Sequence, residues 1–262
     1  MTSHGFKQDL NDQFARLGKV LSNGRRLELL EHLAQGERSV DGLARVAGLS
    51  VANTSQHLQR MQQAGLVAAR REGKQVIYSI AADDVVELLD VFRRVGERHL
   101  AEVRQMVDAH LHDKDALEPV SAEELIERCR KGLVTLIDVR PEEEYEAGHI
   151  PGAVNVSVED LERRMVELDP EREVIAYCRG PYCTFSFEAV ARLREAGFRT
   201  RRLESGFPEW KLAGLPISID DTETETQTSR IEPRAPRKTV VSRPSARSRA
   251  ASDETYQPIG EE

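Results

Sequence analysis

The sequence predicts two folded domains of different class, a mainly α domain followed by an α/β domain with a central parallel sheet. Residues 1–113 place apolar side chains at helical spacing, whereas residues 114–219 alternate short β-branched runs with amphipathic segments. Residues 220–262 are rich in Pro, Ser, Thr and charge and show no periodicity, so we expect a disordered tail.

Composition places limits on where the protein acts and on its partners. The 262 residues carry a net charge of −8, with no apolar run of membrane-spanning length and no signal-peptide core near Met1. We therefore expect a cytoplasmic protein without a membrane partner. The acidic excess belongs to residues 115–219, while residues 1–113 are balanced, so the net charge does not exclude nucleic acid as a partner of the first domain.

Two helices are predicted between Leu17 and Gln35, separated at Asn23-Gly24. A short helix capped by Ser39 and closed by Gly48 follows. Its predicted inward residues are Leu43, Val46 and Ala47. A second helix, 51–64, is capped by Ser50 and ended by Gly65. Its predicted inward residues are Leu58 and Met61, with Ala52 and Thr54 as further candidates.

This pair of helices is typical of a helix-turn-helix, because the second helix exposes amides, hydroxyls and a guanidinium, which can contact bases and phosphates. Its candidate DNA-binding residues are Ser50, Asn53, Ser55, Gln56, His57, Gln59 and Arg60. Residues 66–80 then predict a β-hairpin, or wing, that turns at residues 72–74. Arg70, Arg71 and Lys74 give the wing a basic tip suited to phosphate.

Residues 49–61, residues 64–67 and the wing through Tyr78 resemble the ArsR/SmtB family of winged-helix repressors, with Ser55-Gln56-His57-Leu58 matching the recognition helix. The resemblance implies a homodimer on a double-stranded DNA operator of two-fold symmetry, with recognition helices roughly 34 Å apart. A long helix predicted at residues 84–111 carries an apolar stripe that would pair with the same helix of a second copy.

The first domain departs from the family's soft-metal sensors, because residues 40–47 and the whole domain lack cysteine. A zinc site remains as an alternative, since Glu97, His99, His110 and Asp113 have the side chains and spacing of the family's site on the dimer helix. Their register is about a turn from that site, so we assign no metal and no cofactor.

In the second domain, strands are predicted at residues 133–138, 150–156, 174–177 and 199–203, and helices at 122–130, 158–168, 185–196 and 208–213. Ligands of parallel sheets lie at the carboxyl ends of the strands. Asp138 and Cys178 both fall at that edge.

The loop after the third of these strands is the candidate reactive site. Cys178 opens it and a helix follows, so backbone N–H groups and the helix dipole would stabilise a thiolate. The loop consists of Arg179, Gly180, Pro181, Tyr182, Cys183 and Thr184. We expect Arg179 to add a cation and Asp138 to pair with Arg140, supporting the sheet edge.

Residues 138–153 and 204–210 closely resemble the two signatures of rhodaneses, and Cys178 falls where that family places its catalytic cysteine. The resemblance covers the whole domain. It implies that Cys178 accepts a sulfane sulfur as a persulfide from a donor such as thiosulfate, polysulfide or a persulfide and passes it to a thiol acceptor.

Cys183 departs from many active members, and two interpretations stay open: it attacks the Cys178 persulfide to form a disulfide, or it is a bystander. Cys129 and His149 are interpreted as structural. We expect a DNA-binding regulator, a repressor, that couples reactive sulfur or redox state to operator binding. The alternatives are a sulfurtransferase whose winged helix serves dimerisation, and a zinc-responsive repressor.

Overall fold

The computed structural model describes residues 3–111 and 119–219. The tail from residue 220 and Asp113 lie outside these ranges. Six helices and three short strands lie in the described part of the first domain. They are α1 (Ser3–Leu21), α2 (Gly24–Gln35), β1 (Arg38–Ser39), α3 (Val40–Val46), α4 (Val51–Gln63), β2 (Val67–Glu72), β3 (Gln75–Ile80), α5 (Asp83–His99) and α6 (Ala101–His110).

Side-chain caps set the boundaries of the helix-turn-helix as the sequence predicts. Asn23 caps α2, Ser39 accepts from the Gly42 N–H at 3.1 Å, and Ser50 accepts from the Asn53 N–H at 3.3 Å. The antiparallel sheet has the order β1-β3-β2, and Gly73, at φ +58°, turns the wing. The winged helix-turn-helix is therefore confirmed.

Three expectations for the first domain are wrong. Val46 and Ala52 are exposed, because they lie outside the helix faces through which Leu43, Leu58 and Met61 enter the core. The long helix at 84–111 is two helices, since Leu100 adopts an extended backbone (φ −103°, ψ 111°).

The apolar stripe continues across the break at Leu100, so periodicity could not reveal it. Past the break, Val107 and Leu111 line a cavity of about 370 Å³ together with Asp90 of α5 and Tyr182 of the second domain. The break thus lets α6 return towards α5 and bury Leu111, which is 5% exposed.

The second domain alternates strands and helices, as predicted. Its elements are α7 (Ala122–Arg130), β4 (Val134–Asp138), α8 (Glu142–Glu146), β5 (Val154–Asn155), α9 (Leu161–Arg164) with a 3-10 turn (Met165–Glu167), β6 (Glu173–Tyr177), α10 (Thr184–Glu195), β7 (Thr200–Arg202) and α11 (Phe207–Leu212). The parallel sheet has the order β5-β4-β6-β7 and is buried on both faces.

Two elements of this domain are shorter than predicted. The strand at 150–156 reduces to Val154–Asn155, where two residues pair with the end of β4. The helix at 158–168 reduces to α9 and the 3-10 turn, with Leu161 and Leu168 buried in the core. Neither difference moves Asp138 or Cys178 from the carboxyl edge of the sheet.

Candidate functional site: a cysteine pair at the domain interface

The reactive loop begins where β6 ends. Cys178 is 2% exposed, and Cys183 is the N-cap residue of α10. The two cysteines form a disulfide with their Cα atoms 6.3 Å apart, within the usual range for such bonds. The structure thus describes the pair in its oxidised, disulfide-bonded form.

A close backbone approach holds the loop against the start of α11. A Cβ added at Gly206 would lie 2.3 Å from the Gly180 nitrogen and 2.5 Å from the Arg179 carbonyl carbon. The Phe207 N–H donates to the Cys178 carbonyl at 3.0 Å. The glycine of the second rhodanese-like signature is therefore required sterically, because no larger residue fits between the two segments.

Asp138 and Arg140 form an ion pair with both side chains fully buried and an Nη2–Oδ2 distance of 2.6 Å. Arg140 also donates to the Gly148 carbonyl at 2.7 Å, so its guanidinium ties the sheet edge to the following loop. Burial alone lowers the pKa of Arg140, but the hydrogen bonds and charge of Asp138, with other nearby negative groups, leave that pKa raised. Arg140 therefore stays charged, and its role is to hold the sheet edge and the following loop together.

Arg179 differs from the expectation that it adds a cation to the reactive sulfur. Its Nε and Nη2 atoms each donate to Glu144 at 2.8 Å, and its guanidinium stacks over Phe185 at 5.1 Å. Glu144 is buried, so this carboxylate offsets the charge of Arg179. The arrangement stabilises the loop, and it means that Arg179 is not a free cation beside Cys178.

The first domain packs directly on this loop, in part through Gln35, a residue that no sequence pattern revealed. Gln35, 3% exposed at the end of α2, donates to the Arg179 carbonyl at 3.2 Å and accepts from Arg140 Nη1 at 3.2 Å. The Tyr182 hydroxyl donates to Glu97 of α5 at 2.5 Å. Burial, and then this hydrogen bond, raise the pKa of Tyr182. One buried amide thus joins the winged helix to the residue next to Cys178.

Ion pairs surround these contacts. Arg38 binds Glu143 at 3.0 Å and Glu144 at 3.1 Å, so Glu144 receives a guanidinium from each domain. Arg93 of α5 binds Glu31 at 2.8 Å and approaches Glu209 at 3.5 Å. No local signal marks these residues in the sequence, since arginines and glutamates at helical spacing usually form solvated faces.

A small cavity of about 200 Å³ lies at this interface. Its lining combines Glu31 and Arg93 of the winged helix with residues 179–185 of the loop. Cys183 lines the cavity and Cys178 does not. In the oxidised pair, Cys183 therefore lines the cavity, whereas Cys178 is buried.

The candidate DNA-binding residues lie on α4 and the wing, but they are not equally available. Asn53, Gln56, Gln59 and Arg60 are exposed. Ser50 caps α4, and Ser55 accepts a hydrogen bond from Gln59 at 3.4 Å. His57 differs from the expected outward orientation.

The Nδ1 atom of His57 is buried without a hydrogen-bond partner. Burial and then the charges of Arg26 and Arg60 lower the pKa of His57. On the wing, Arg70 binds both Glu37 and Glu72, whereas Arg71 and Lys74 are exposed.

Zinc ligation receives no support within the described ranges. Across residues 3–111 and 119–219, no three His, Cys, Asp or Glu side chains form a group able to hold a metal ion. Glu97 instead accepts from Tyr182, and Asp113 lies outside these ranges. In the same ranges, no helix is long and apolar enough to span a membrane.

A winged helix-turn-helix followed by an α/β domain with a cysteine loop defines a regulator that joins a DNA-binding fold to a parallel-sheet domain. Residues 23–69 match the family of bacterial regulatory proteins of the arsR type, and residues 121–213 match the rhodanese-like domain. The HTH-type transcriptional regulator Rv0324 of Mycobacterium tuberculosis is 46% identical over 211 residues, covering 80% of this chain and 92% of the relative. The chain therefore belongs to the ArsR family of HTH-type transcriptional regulators and carries a rhodanese-like domain.

Two further similarities concern parts of the chain. The putative sulfurtransferase YtwF of Bacillus subtilis is 37% identical over 76 residues, 29% of this chain and 72% of that protein. The homodimeric winged helix-turn-helix domain Mb0332 of Mycobacterium bovis, solved by NMR as a possible ArsR-family regulator, is 43% identical. It covers 39% of this chain and 93% of that fragment, with a TM-score of 0.36.

Proposed function

We propose that this transcriptional regulator is a homodimeric repressor whose affinity for its operator depends on the sulfur state of Cys178. Cys178 would accept a sulfane sulfur from a polysulfide, a persulfide or thiosulfate. The observation that carries the proposal is the contact between Gln35 and the Arg179 carbonyl, because it joins the DNA-binding domain to the residue beside Cys178.

The chemistry proceeds in two steps. The Cys178 thiolate attacks the sulfane sulfur of the donor and forms a persulfide, releasing the donor's remaining thiolate or sulfite. The Cys183 thiolate then attacks Cys178 Sγ, forming the S–S bond between the two cysteines and expelling hydrosulfide. The disulfide of the structure, with its Cα atoms 6.3 Å apart, supports a pair placed for this second step.

The homodimer is supported by apolar side chains that the described monomer leaves uncovered. Phe6 and Phe14 of α1 are 61% and 60% exposed, and Phe92 and Val95 of α5 are 48% and 52% exposed. Apolar surface of this extent on these two helices favours burial against a second copy. A two-fold dimer would present two α4 helices to successive major grooves.

A gel-shift titration with operator DNA, with and without polysulfide, tests the proposal. We expect polysulfide to change the operator affinity of the wild type by about tenfold, the size of a typical coupling between two sites. Cys178→Ser should abolish the response, whereas the control Cys129→Ser, which changes the free cysteine on α7, should retain it. Equal affinities for wild type and Cys178→Ser under both conditions would contradict the proposal.

Sulfur transfer as a turnover activity is the second candidate, favoured by the resemblance to the putative sulfurtransferase and by a cysteine at the carboxyl edge of the sheet. Thiosulfate:cyanide turnover that is lost in Cys178→Ser, together with no operator binding, would identify the protein as an enzyme first.

A further inference from the structure

The cavity beside Cys183 contains residues from both domains. Glu31 of α2 and Arg93 of α5 face the loop residues 179–185 across a space of about 200 Å³. Pockets for drug-sized ligands are about 300–1,000 Å³, so this one suits a smaller molecule. The winged helix therefore forms part of the wall of this cavity.

Size and burial indicate what can react there. Arg93 and Arg179 line the cavity, but Arg93 pairs with Glu31 and Arg179 pairs with Glu144, so neither arginine is a free cation. Cys183 lines it too, while Cys178 is 2% exposed. An anionic nucleophile that enters the cavity meets the Cys183 end of the disulfide.

We infer that the cavity admits a small thiolate, of the size of hydrosulfide or cysteine, which reduces the disulfide by attacking Cys183. The thiolate forms a mixed disulfide with Cys183 Sγ, the Cys178–Cys183 bond breaks, and the electron pair leaves on Cys178 as a thiolate. A second small thiolate attacks the mixed disulfide, releasing the Cys183 thiolate and a small-molecule disulfide. The leaving thiolate of Cys178 lies at the loop before α10, where backbone N–H groups stabilise negative charge.

This inference rests on the proposed function, since it names the class of molecule that resets the cysteine pair. It also adds a restriction. A thiol that reaches Cys183 through the cavity passes Glu31 and Arg93, so the winged helix selects by size against protein reductants and bulky thiols. The second domain would be reset by low-molecular-weight thiols in the full chain.

The test uses the oxidised full-length protein with Cys129→Ser, in the absence of DNA and sulfane sulfur. Reduction by cysteine is compared with reduction by glutathione at equal thiolate concentrations, followed by acid quenching, alkylation and peptide mass spectrometry. We expect the thiol adduct on Cys183 and the alkyl group on Cys178. Cysteine should react faster by about tenfold, because exchange rates depend on access to the attacked sulfur.

A matched pair of variants tests the role of the winged helix. Arg93→Ala removes a lining side chain and should raise the glutathione rate relative to cysteine, whereas Arg94→Ala removes an arginine that pairs with Asp90 on the same helix and should leave the ratio unchanged. Circular dichroism verifies that both variants fold.

An adduct on Cys178, equal rates for the two thiols, or no reduction by either overturns the inference. None of these readouts uses operator DNA. A size-selective reaction at Cys183 combined with an unchanged gel shift would therefore remove the proposed function and leave the small-thiol site standing.

Discussion

Gly206 shows at the scale of one residue how closely the reactive loop is packed. Its backbone has an ordinary φ of −101°, so conformational freedom does not explain the glycine. The constraint is the 2.3 Å distance between a would-be Cβ and the Gly180 nitrogen. Rigid backbone rather than a flexible side chain occupies that space.

We predict that Gly206→Ala displaces the Cys178 loop and destabilises the protein by about 2 kcal/mol or more, the scale of overpacking in a core. Urea unfolding measures the change in the free energy of unfolding. Gly24→Ala is the matched control, because its Cβ meets no atom within 4 Å, and it should be neutral or stabilising by up to about 1 kcal/mol. Equal effects of the two changes would contradict the steric explanation.

A second feature of single residues, the buried carboxylate of Glu144, explains why Arg179 does not act as a separate cation. Glu144, with 1% of its side chain exposed, binds Arg179 and Arg38 at once. Removing one partner of such a cluster leaves an uncompensated buried charge. The neighbouring His32 remains neutral, because burial and then the charge of Arg179 lower its pKa.

Among the elements, the wing contains arginines of unequal value for DNA. Arg70 is engaged by Glu37 and Glu72, while Arg71 and Lys74 extend from the hairpin into solvent. A cation already paired with two carboxylates releases fewer counterions when it meets a phosphate. A count of the basic residues at the wing tip therefore overstates the positive charge that is available to DNA.

We predict that Arg71→Ala or Lys74→Ala reduces the slope of log Kobs against log salt concentration by about one, with weaker binding to all sequences. Arg70→Ala should reduce the slope less. Fluorescence anisotropy with operator DNA at several salt concentrations measures the slopes. If Arg70→Ala gives the largest decrease, the ion pairs with Glu37 and Glu72 do not persist in the complex.

Helix α2 is the element that joins the two proposed activities. Its C-terminal Gln35 reaches Arg179 and Arg140, and the chain then passes through β1 into α3, the first helix of the helix-turn-helix. A change in the position of the Cys178 loop thus acts on Gln35 through a hydrogen bond, and Gln35 is only a few residues from the helix-turn-helix.

Gln35→Ala should remove the response of operator affinity to polysulfide while leaving Cys178 and Cys183 reactive. It should also cost about 1–3 kcal/mol of stability, since Arg140 Nη1 and the Arg179 carbonyl lose a buried partner. Gel shifts paired with mass spectrometry of both cysteines separate the two effects. The exposed Gln105 of α6 supplies the control, Gln105→Ala. A normal polysulfide response in Gln35→Ala would exclude this route.

At the scale of the whole molecule, the exposed apolar faces of α1 and α5 favour assembly. We predict that Phe92→Glu converts a dimer into a monomer and weakens operator binding by at least about tenfold, because both half-sites must be held together. Sedimentation velocity gives the mass. Val166→Glu, at an 87% exposed position in the second domain, should leave the dimer intact. A dimer that survives Phe92→Glu would place the interface elsewhere.

The two domains also meet through a surface that combines ion pairs with a few buried polar groups. Arg38, Arg93 and Tyr182 each form a contact across it, and Gln35 lies at its buried centre. Interfaces of this polar kind between domains permit relative motion more readily than apolar cores do. A domain interface of this polar composition is suited to contacts that change with the redox state of the cysteine pair.

Local chemistry allowed the sequence by itself to determine a large part of this protein. Ser39 and Ser50 mark helix starts, Gly73 marks the wing, and β-branched runs before Asp138 and Cys178 mark buried strands. Caps, turns and periodicity depend on neighbouring residues, so they can be recognised in a linear chain. The two domain types and the position of the reactive loop followed from them.

Only the tertiary structure decided which groups meet. Gln35 and Arg179 are 144 positions apart, and neither carries a local signal for the other. The break at Leu100, the compensation of Arg179 by Glu144 and the cavity beside Cys183 likewise depend on packing between distant segments. Contacts of this kind arise from the burial of whole surfaces, a property that no short stretch of sequence contains.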